Sequence, residues 1–409
     1  MIGKWSELRV RVRTFRDIEE AKKQIADLGV EPVSIEMMAP KALHFNLLVE
    51  NVRPPVAIII KESMLAVGAD AAIHRNAITG KIEKCDVLVM ATRKHLRKAS
   101  TSLRMQPFGI NELAVEMMQA ADNFFATPQL WKLPNGSEFD FERTKIMGVL
   151  NVTPDSFSGD GIVDDFQNAL KRAIQIQEEG ADLIDIGGES TRPSAPSIDE
   201  KVEIERVIPI IKAMREIVKI PISIDTRKPK VAEAAIEAGA SVVNDVGGLL
   251  DREMIKLCAR EKVPVIAMHM KGTPENMQID PHYDDVVGEV MQHLANRVED
   301  AVEAGIERSQ IAIDPGIGFG KRLEDNLELI RRIGEFKTLG QPIAIGTSRK
   351  SFIGKITGQP VDHRLEGSIG AASVAVWNGA DIIRCHDVRE TKLAMQLVDA
   401  IKYYTAPSA

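Results

Sequence analysis

The sequence contains no run of about 18 uncharged apolar residues, so it offers no transmembrane helix. Its N-terminus alternates charged and apolar side chains and lacks the apolar stretch of a signal peptide, which favours a cytoplasmic protein. The three cysteines, Cys85, Cys258 and Cys385, stand far apart without a CxxC spacing. A disulfide framework and a zinc site are therefore not expected, and a reducing compartment fits this cysteine usage.

The sequence also lacks the basic stripe that is typical of nucleic-acid-binding proteins. Its 52 basic and 59 acidic residues, among 409 in total, give a net charge of −7. Apolar residues make up 44% and charged residues 27% of the chain, which is the balance of a globular protein. An anionic substrate would therefore need local positive groups that act against the overall negative field.

The chain is expected to divide near residues 126–140, where two prolines and the pair Asn135-Gly136 interrupt the regular patterns. Asn-Gly between apolar residues predicts a tight β-hairpin. Residues 127–409 are predicted to form one domain that begins with this hairpin, and residues 1–126 a smaller α/β domain whose function is not assigned.

Four patterns stand out in the smaller predicted domain. Residues 8–15 alternate with period two and predict a strand, and residues 84–92 predict a buried strand. Residues 17–29 and 111–125 have helical spacing, and the second of these helices is expected to start at its asparagine. No chemical motif is present in this region.

Eight short apolar runs recur after residue 143, with helical patterns between them. The runs are 146–152, 182–188, 221–226, 241–246, 264–270, 311–316, 342–348 and 381–387. Glycines precede several of them, at Gly180, Gly239, Gly305 and Gly379, as expected for helix C-caps. Uniformly apolar strands with intervening helices predict a parallel sheet, and eight such units in about 260 residues fit a closed (β/α)₈ TIM barrel.

Polar side chains lie within or just after all eight runs. They are Asn151, Asp185, Asp225, Asn244, Asp245, His269, Asp314, Ser348, Lys350, Arg384 and His386. Helix capping explains two or three of them, but not a polar group at every strand end. Because the carboxyl ends of barrel strands meet at one mouth, the sequence predicts an active site there.

Seven motifs fall on these strand ends in a fixed order. They are NVTPDSF (151–157), GGESTRP (187–193), SIDT (223–226), VND (243–245), DPGIGFGK (314–321), SRKS (348–351) and RCHDV (384–388). As a set they resemble the dihydropteroate synthase family over about residues 130–403. The resemblance implies a transferase of folate biosynthesis that joins 6-hydroxymethyl-7,8-dihydropterin pyrophosphate to 4-aminobenzoate, releases pyrophosphate and uses Mg²⁺.

The resemblance also implies roles for individual residues. The pterin-pocket positions are Asp225, Asn244, Met268, Asp314 and Lys350, and buried carboxylates and amides suit the donors and acceptors of a pterin ring. The aminobenzoate positions are Phe157, Thr191, Pro193, Gly318, Phe319 and Ser351. Arg384 and His386 match the pyrophosphate ligands, and Asn151 matches the Mg²⁺ ligand. The residues implied in catalysis are Lys350, Arg384, His386, Thr191 and Arg192.

Some alternatives stay open at this point. Met268 could simply fill the barrel, and Asp160 lies one place later than the acid of the corresponding family loop. A related synthase that uses a ribofuranosyl-aminobenzene phosphate, a corrinoid-dependent pterin methyltransferase and a non-catalytic pterin-binding protein are the competing functions. The family also implies a homodimer through helices near 363–378 and 388–402. The candidate interface residues, Ile369, Val374, Val376, Leu393 and Leu397, are equally plausible as core positions.

Overall fold

The structure is a computed structural model that describes residues 11–152, 162–190 and 197–404. The chain forms two compact units, Met1–Ala126 and Thr127–Ala409. Within the described ranges, none of the helices has both the length and the apolar character needed to cross a bilayer.

The first unit is a three-stranded antiparallel sheet with helices packed on it. Its elements are α1 (Ile18–Asp27), α2 (Pro32–Met38), a 3₁₀ helix (Ala39–Lys41), β1 (His44–Val52), α3 (Pro54–Ala66), β2 (Asp70–Ile73), β3 (Cys85–Thr92), α4 (Arg93–Leu103) and α5 (Ile110–Phe125). The strand order is β1-β3-β2. One face of the sheet packs against α3, α4 and α5 around Ile60, Val89 and Leu96.

The sequence patterns of this unit are only partly confirmed. The helix predicted over 17–29 and the strand over 84–92 correspond to α1 and β3. The strand predicted over 8–15 is wrong for residues 11–15, which have no regular structure, and residues 8–10 lie outside the described residues. Helix α5 starts at Ile110 rather than at Asn111, because Gly109 takes a left-handed conformation (φ +79°) and serves as the N-cap.

The second unit begins with a hairpin and continues as eight parallel strands separated by helices. Its first elements are β4 (Trp131–Lys132), β5 (Glu138–Phe139), β6 (Lys145–Asn151), α6 (Ile162–Glu178), β7 (Leu183–Gly187), α7 (Glu200–Ile217), β8 (Ile222–Asp225), α8 (Pro229–Ala238), β9 (Val242–Asp245), α9 (Arg252–Glu261), β10 (Val265–Met268) and α10 (Val286–Glu303). The remaining elements are β11 (Ile311–Asp314), α11 (Leu323–Arg331), β12 (Ala344–Gly346), α12 (Ser351–Thr357), α13 (Leu365–Asn378), β13 (Ile382–Cys385) and α14 (Val388–Lys402), with short 3₁₀ helices at Arg308–Gln310, Ile333–Leu339 and Val361–His363.

The eight-stranded sheet closes into the predicted barrel. The order β11-β10-β9-β8-β7-β6-β13-β12 is sequential around the ring, and a parallel bridge between Ile313 and Ile343 joins the two ends. Each of the eight apolar runs coincides with one of the strands β6–β13, and only β6 begins outside its run, one residue earlier. The predicted glycine caps also hold, with φ between +95° and +131° at Gly180, Gly239, Gly305 and Gly379.

The β4–β5 hairpin fills the amino-terminal end of the barrel. Its side chains Trp131, Leu133, Phe139 and Phe141 pack against the first inward-facing residues of seven strands. Those residues are Met147, Leu183, Val242, Ile266, Ala312, Ala344 and Ile382. The hairpin is therefore a floor of the barrel, and the opposite, carboxyl-terminal end is left for the polar side chains.

Candidate active site

The candidate site is the layer of side chains directly above this floor. Seven strands contact the hairpin floor through one residue each. On five of these strands, the residue two places later belongs to this layer, and four of the five are polar while the fifth is Met268. These residues are Asp185, Asn244, Met268, Asp314 and Arg384. Because side chains alternate between the two faces of a strand, each points into the barrel. Asp225 ends β8 beside Asn244 and completes the layer.

Arg384 connects two buried carboxylates. Its Nε donates to Asp185 Oδ2 at 2.6 Å, and its Nη2 donates to Asp225 Oδ2 at 2.6 Å. Asn244 Nδ2 donates to the same oxygen of Asp185 at 3.0 Å. The other oxygen, Oδ1, of each carboxylate is buried and finds no hydrogen-bond partner among the described residues. Since an unpaired buried acceptor costs about 1–3 kcal/mol, these two oxygens mark where donors of a ligand would be accepted.

Burial and charge oppose each other in this layer. Burial raises the pKa of Asp225 to about 7; Arg384 opposes that shift and the neighbouring Asp185 adds to it. Burial also raises the pKa of Asp314. Burial and, after it, the charge of Arg384 lower the pKa of Lys350 to about 8. The guanidinium of Arg384 thus opposes the effect of burial on Asp225 and adds to the effect of burial on Lys350.

The loop after β11 forms one wall of the site. Asp314 Oδ1 accepts a hydrogen bond from the Gly316 backbone N–H at 2.7 Å. Gly316 has φ +70°, and a Cβ there would overlap the carbonyl oxygen of His269, so only glycine fits. The carbonyl of Gly318 accepts a hydrogen bond from Gln278 Nε2 at 2.9 Å. The loop is therefore held against the end of β10.

Lys350, the residue before α12, faces this wall. Its Nζ lies 4.0 Å from the centroid of the Phe319 ring. A Cβ on Gly318 would lie 3.2 Å from Lys350 Cδ, so the lysine stem passes directly over the glycine backbone. The structure thus brings together three of the residues predicted at the aminobenzoate and pterin sites. Ser351 is next to Lys350 in the chain, and its side chain is exposed.

His386 and Ser348 connect the segments that follow β13 and β12. Ser348 Oγ lies 3.0 Å from His386 Nδ1 and accepts the His386 backbone N–H at 3.3 Å. Burial, followed by the charge of Arg384, lowers the pKa of His386 to about 3, so the ring is neutral at pH 7. When the serine O–H donates to Nδ1, the proton of the neutral ring is on Nε2. His386 is therefore a neutral donor.

The two residues predicted at the pyrophosphate differ in their surroundings. Arg384 lies between the carboxylates of Asp185 and Asp225, where two of its three nitrogens are engaged. His386 lies one residue beyond β13, and its carbonyl accepts a hydrogen bond from Arg172 Nη2 at 2.8 Å. The roles of both at pyrophosphate stay predictions, and the structure shows in addition that the charge of Arg384 lies beside Asp185 and Asp225.

Asn151, the predicted Mg²⁺ ligand, ends β6 beside Gly187 and is half-buried. In the parts of the chain that the structure describes, no three His, Cys, Asp or Glu side chains gather in a group that could hold a metal ion. A single amide oxygen nevertheless fits Mg²⁺, which keeps several waters and is often bound by one or two protein groups together with substrate phosphates. The role of Asn151 as a Mg²⁺ ligand therefore stays a prediction.

Four of the predicted site residues, Phe157, Thr191, Arg192 and Pro193, lie outside the described residues, as does Asp160. Their assignments stay predictions.

Sequence reasoning did not include Asp185 among the ligand-binding residues, although it is fully buried and bonded to two of them. The signal was present, because an acid inside the apolar run 182–188 stands two places after Leu183. It also missed Lys321, which is buried beneath the loop of Asp314. For Lys321 the sequence carries no comparable signal.

The sequence profile of pterin binding enzymes matches residues 147–386 of this chain. The dihydropteroate synthase of Synechocystis is 42% identical over 291 residues, which are 70% of this chain and 99% of that protein. The dihydropteroate synthase of Xanthomonas albilineans, solved with 4-aminobenzoic acid, is 40% identical with a TM-score of 0.64, covering 68% of this chain and all of that one. The same enzyme solved with 7,8-dihydropteroate gives a TM-score of 0.62 at 38% identity.

One further relative is similar to this chain over both of its units. The probable bifunctional folylpolyglutamate synthase/dihydropteroate synthase of Halobacterium salinarum is 36% identical over 404 residues, or 97% of this chain. This chain spans 48% of the length of that relative. The first unit therefore has a counterpart in a protein that carries further sequence.

Proposed function

The chain belongs to the dihydropteroate synthases of the pterin-binding enzyme family, which are transferases, and on that premise we propose how its barrel works. It joins 6-hydroxymethyl-7,8-dihydropterin pyrophosphate to 4-aminobenzoate and releases pyrophosphate. One observation carries this proposal: the buried Oδ1 atoms of Asp185 and Asp225 lack partners among the described residues, and both carboxylates are bonded to Arg384 in the layer above the barrel floor. A pterin ring offers N–H donors in a fixed arrangement that such oxygens can accept.

The strand ends hold the pterin. Asp225, Asn244 and Asp314 offer carboxylate and amide groups from three strands, and Met268 offers an apolar surface in the same layer. These side chains are buried, so each hydrogen bond to the ring is made in a medium of low polarity and contributes more to orientation than it would in water. The ring is thereby fixed with its methylene group toward the mouth.

The loop wall holds the second substrate. Gly318, Phe319 and Lys350 form a surface of backbone, aromatic face and ammonium group, which suits a flat anilinic acid. The bond from the methylene carbon to the pyrophosphate oxygen breaks first, and its electron pair leaves with pyrophosphate, so the positive charge is delocalised into the pterin. The amine of 4-aminobenzoate, which is neutral at pH 7, then attacks the methylene carbon, and its nitrogen gives up one proton to water. No covalent enzyme intermediate is needed, and catalysis rests on positioning and charge stabilisation.

The leaving group is held by side chains around the last strand. The guanidinium of Arg384 supplies charge, and His386 supplies a neutral Nε2–H donor. Asn151 offers an amide oxygen to Mg²⁺, which when bound neutralises negative charge on the pyrophosphate. Removal of Mg²⁺ with a chelator should abolish turnover, and Asn151→Ala should raise the Mg²⁺ concentration needed for half-maximal activity.

Pyrophosphate release tests the proposed reaction directly. Pterin pyrophosphate is supplied with 4-aminobenzoate in one assay and with a ribofuranosyl-aminobenzene phosphate in another. Release with 4-aminobenzoate supports the proposal, and release with the ribosylated amine alone supports the related synthase instead. Release with neither amine, from a protein that still binds the pterin, would support a non-catalytic binding protein.

We infer a homodimer from the surface of the last two helices. Val374 and Trp377 on α13, and Leu393, Leu397 and Ile401 on α14, are large apolar side chains that are exposed in this chain. An exposed apolar cluster of this kind marks an interaction site.

Val376, by contrast, is buried within the unit and belongs to its core, so it is not an interface residue. Light scattering should give twice the chain mass for the wild type, and Leu397→Glu should give the monomer mass. A monomeric wild type would contradict the dimer.

A cytoplasmic location is supported by the thiols. Cys85, Cys258 and Cys385 are all free, and the last two are buried. Free thiols of this kind are typical of reducing compartments.

A further inference from the structure

Lys321 is a buried cation whose hydrogen-bond partners are all uncharged. Its Nζ lies 2.9 Å from His269 Nδ1, and it donates to the carbonyl oxygens of Phe319 at 3.0 Å and of His269 at 3.5 Å. The side chain is only 3% exposed. An ammonium group has three N–H donors, and these three acceptors match them. The geometry therefore fits the charged form of the lysine, but it leaves the charge itself without a bonded carboxylate.

A buried charge is costly unless another charge compensates for it. Two carboxylates act favourably on Lys321, namely Asp314 and Asp325, while the cations Lys350 and Lys271 oppose it. Asp325 is already engaged by Arg322, whose Nε and Nη2 donate to its two oxygens at 2.9 Å and 2.8 Å. Asp314 is therefore the carboxylate left to balance Lys321.

The loop geometry brings these two groups close together. Gly316 donates its backbone N–H to Asp314 Oδ1, and a Cβ on Gly316 would lie 3.4 Å from Lys321 Nζ. The ammonium group thus lies directly behind the glycine that binds the carboxylate. Lys350 and Arg384 also act on Asp314.

We propose that Lys321 is a counter-charge that, together with Lys350, keeps Asp314 ionised, and that it acts as a positioning residue for pterin binding. The inference rests on the proposed function, in which Asp314 accepts N–H donors of the pterin. Only an ionised carboxylate can accept with both oxygens, because the protonated form presents an O–H donor instead. Lys321 does not touch the substrate, and its effect passes through Asp314.

The directions of the pKa shifts of Lys321 and Asp314 agree with a pairing of these two groups. Burial lowers the pKa of Lys321 to about 7, with Asp314 acting to raise it. Burial raises the pKa of Asp314, with Lys350, Lys321 and Arg384 acting to lower it. His269 is neutral, because burial, followed by the charge of Lys321, lowers its pKa to about 2. Each group of the pair thus supports the charged state of the other against the effect of burial.

The test is the pH dependence of pterin affinity in Lys321→Met, measured by calorimetry with 6-hydroxymethylpterin. Loss of the cation raises the pKa of Asp314, so pterin affinity should fall, by up to about 10-fold for each unit of that rise where the pH is below the pKa of Asp314. The deficit relative to wild type should shrink as the pH is raised, because Asp314 becomes ionised in both proteins. The ligand's own titration cancels in this ratio.

Lys271→Met is the matched control, because Lys271 also acts on Lys321 but is exposed and lies near Tyr283 rather than behind Gly316. It should change the pterin affinity by less than about 2-fold at every pH. In an Asp314→Asn background, Lys321→Met should cause no further loss. A Lys321→Met deficit that is the same at all pH values, or that persists in this background, would show a merely structural role and overturn the proposal.

A second measurement does not depend on how well the Lys321 variant folds. Lysines labelled with ¹³C at Cε are titrated in wild type and in Asp314→Asn, and the lysine that titrates near pH 7 should move to lower pH in the variant. An unchanged titration would overturn the pairing. If wild type binds no pterin at all, the proposed function fails, whereas this titration still decides the pairing.

Discussion

The two halves of the active-site mouth are built in different ways. The half around Asp185, Asp225, Asn244 and Arg384 is carried by barrel strands, and its side chains bond to one another across the interior. The half around Gly318, Phe319 and Lys350 is carried by loops. There the backbone itself is shaped, with φ +70° at Gly316 and +83° at Gly318.

This difference separates two tasks. The side chains on the strands are held in place by the backbone hydrogen bonds of the sheet. Their free-energy cost is electrostatic, because their charges are buried and must be balanced. The groups on the loops are partly exposed, so burial of charge costs them less free energy. Their main cost is conformational, because the loop must hold residues in the left-handed region. The first half suits a ligand that needs exact hydrogen bonding, and the second suits a flat ligand that must enter and leave. Substitutions in the strand half should therefore destabilise the protein by leaving charges unbalanced. Substitutions in the loop half should destabilise it by backbone strain or steric overlap.

The largest effect is expected on the strand side, from Arg384→Met. The substitution leaves Asp185 and Asp225 without their shared cation, and breaking a buried ion pair costs about 3–5 kcal/mol. The loss in free energy of unfolding should be smaller at low pH, where the carboxylates can take up protons. Urea denaturation at two pH values measures both.

Arg349→Met is the control for this experiment. It breaks an ion pair with Asp387 that is largely exposed, and it should cost about 1 kcal/mol or less. Equal losses in the two variants would contradict the electrostatic account of the strand side.

The next effect is expected on the loop side, from Gly316→Ala. An alanine there must hold φ +70° and also meets the carbonyl oxygen of His269, so we expect a loss of about 2–4 kcal/mol in the free energy of unfolding. Gly358→Ala is the matched control, because Gly358 has φ +73° with nothing within 4 Å of the added Cβ. It should lose only about 1 kcal/mol. A similar loss in both would mean that backbone strain alone, and not the close approach to β10, shapes the wall.

Asp314 belongs to both halves, because it ends strand β11 and begins the loop that follows. The third variant is therefore Asp314→Asn. The amide presents a donor where the carboxylate accepts, so pterin affinity should fall by about 10- to 100-fold, or about 1.5–3 kcal/mol. Calorimetry on the folded variant measures this. Asp140→Asn, in the exposed segment before β6, should leave the affinity unchanged. Unchanged affinity in Asp314→Asn itself would remove Asp314 from the pterin site.

Counted per pH unit, the smallest effect is a slope in stability with pH that belongs to Asp225. Its pKa in the folded protein, about 7, lies above its ordinary value near 4. The folded state therefore binds the proton more tightly, and this stabilisation is complete below pH ~4 and is lost as the pH rises toward ~7. Between these values the wild type should lose up to about 1.4 kcal/mol per pH unit relative to Asp225→Asn. Parallel curves for the two proteins would show that Asp225 stays ionised on folding.

The strand half of the site was accessible from the sequence for a physical reason. Side chains alternate with period two along a strand, so a polar residue two places after an inward-facing apolar one must share its face, as Asn244 does after Val242. The barrel then brings strand ends together without further information. The same argument would have assigned Asp185 to the site, had the spacing from Leu183 been used.

The loop half was less accessible, because it depends on distances between segments that the sequence does not reveal. Nothing in the DPGIGFGK motif indicates that Gly316 lies against His269, or that Lys321 turns back beneath the loop. The orientation of Arg384 toward Asp185 was hidden for a related reason, since the two residues are 199 positions apart and meet only when β13 closes against β6. In the first unit, the left-handed Gly109 set the start of α5, which amphipathic spacing alone did not show.

The hairpin floor also gives the barrel a built-in optical reporter. Of the three tryptophans in the chain, Trp131 is fully buried between Phe139 and Phe141, whereas Trp377 on α13 is 52% exposed and Trp5 lies outside the described residues. Indole emission shifts to longer wavelength when water reaches the ring, and soluble quenchers act on exposed rings first. In a Trp5→Phe background, the short-wavelength emission therefore follows the opening of the barrel floor. The quenchable emission follows the outer surface of the last two helices, so one spectrum distinguishes unfolding from a change in association.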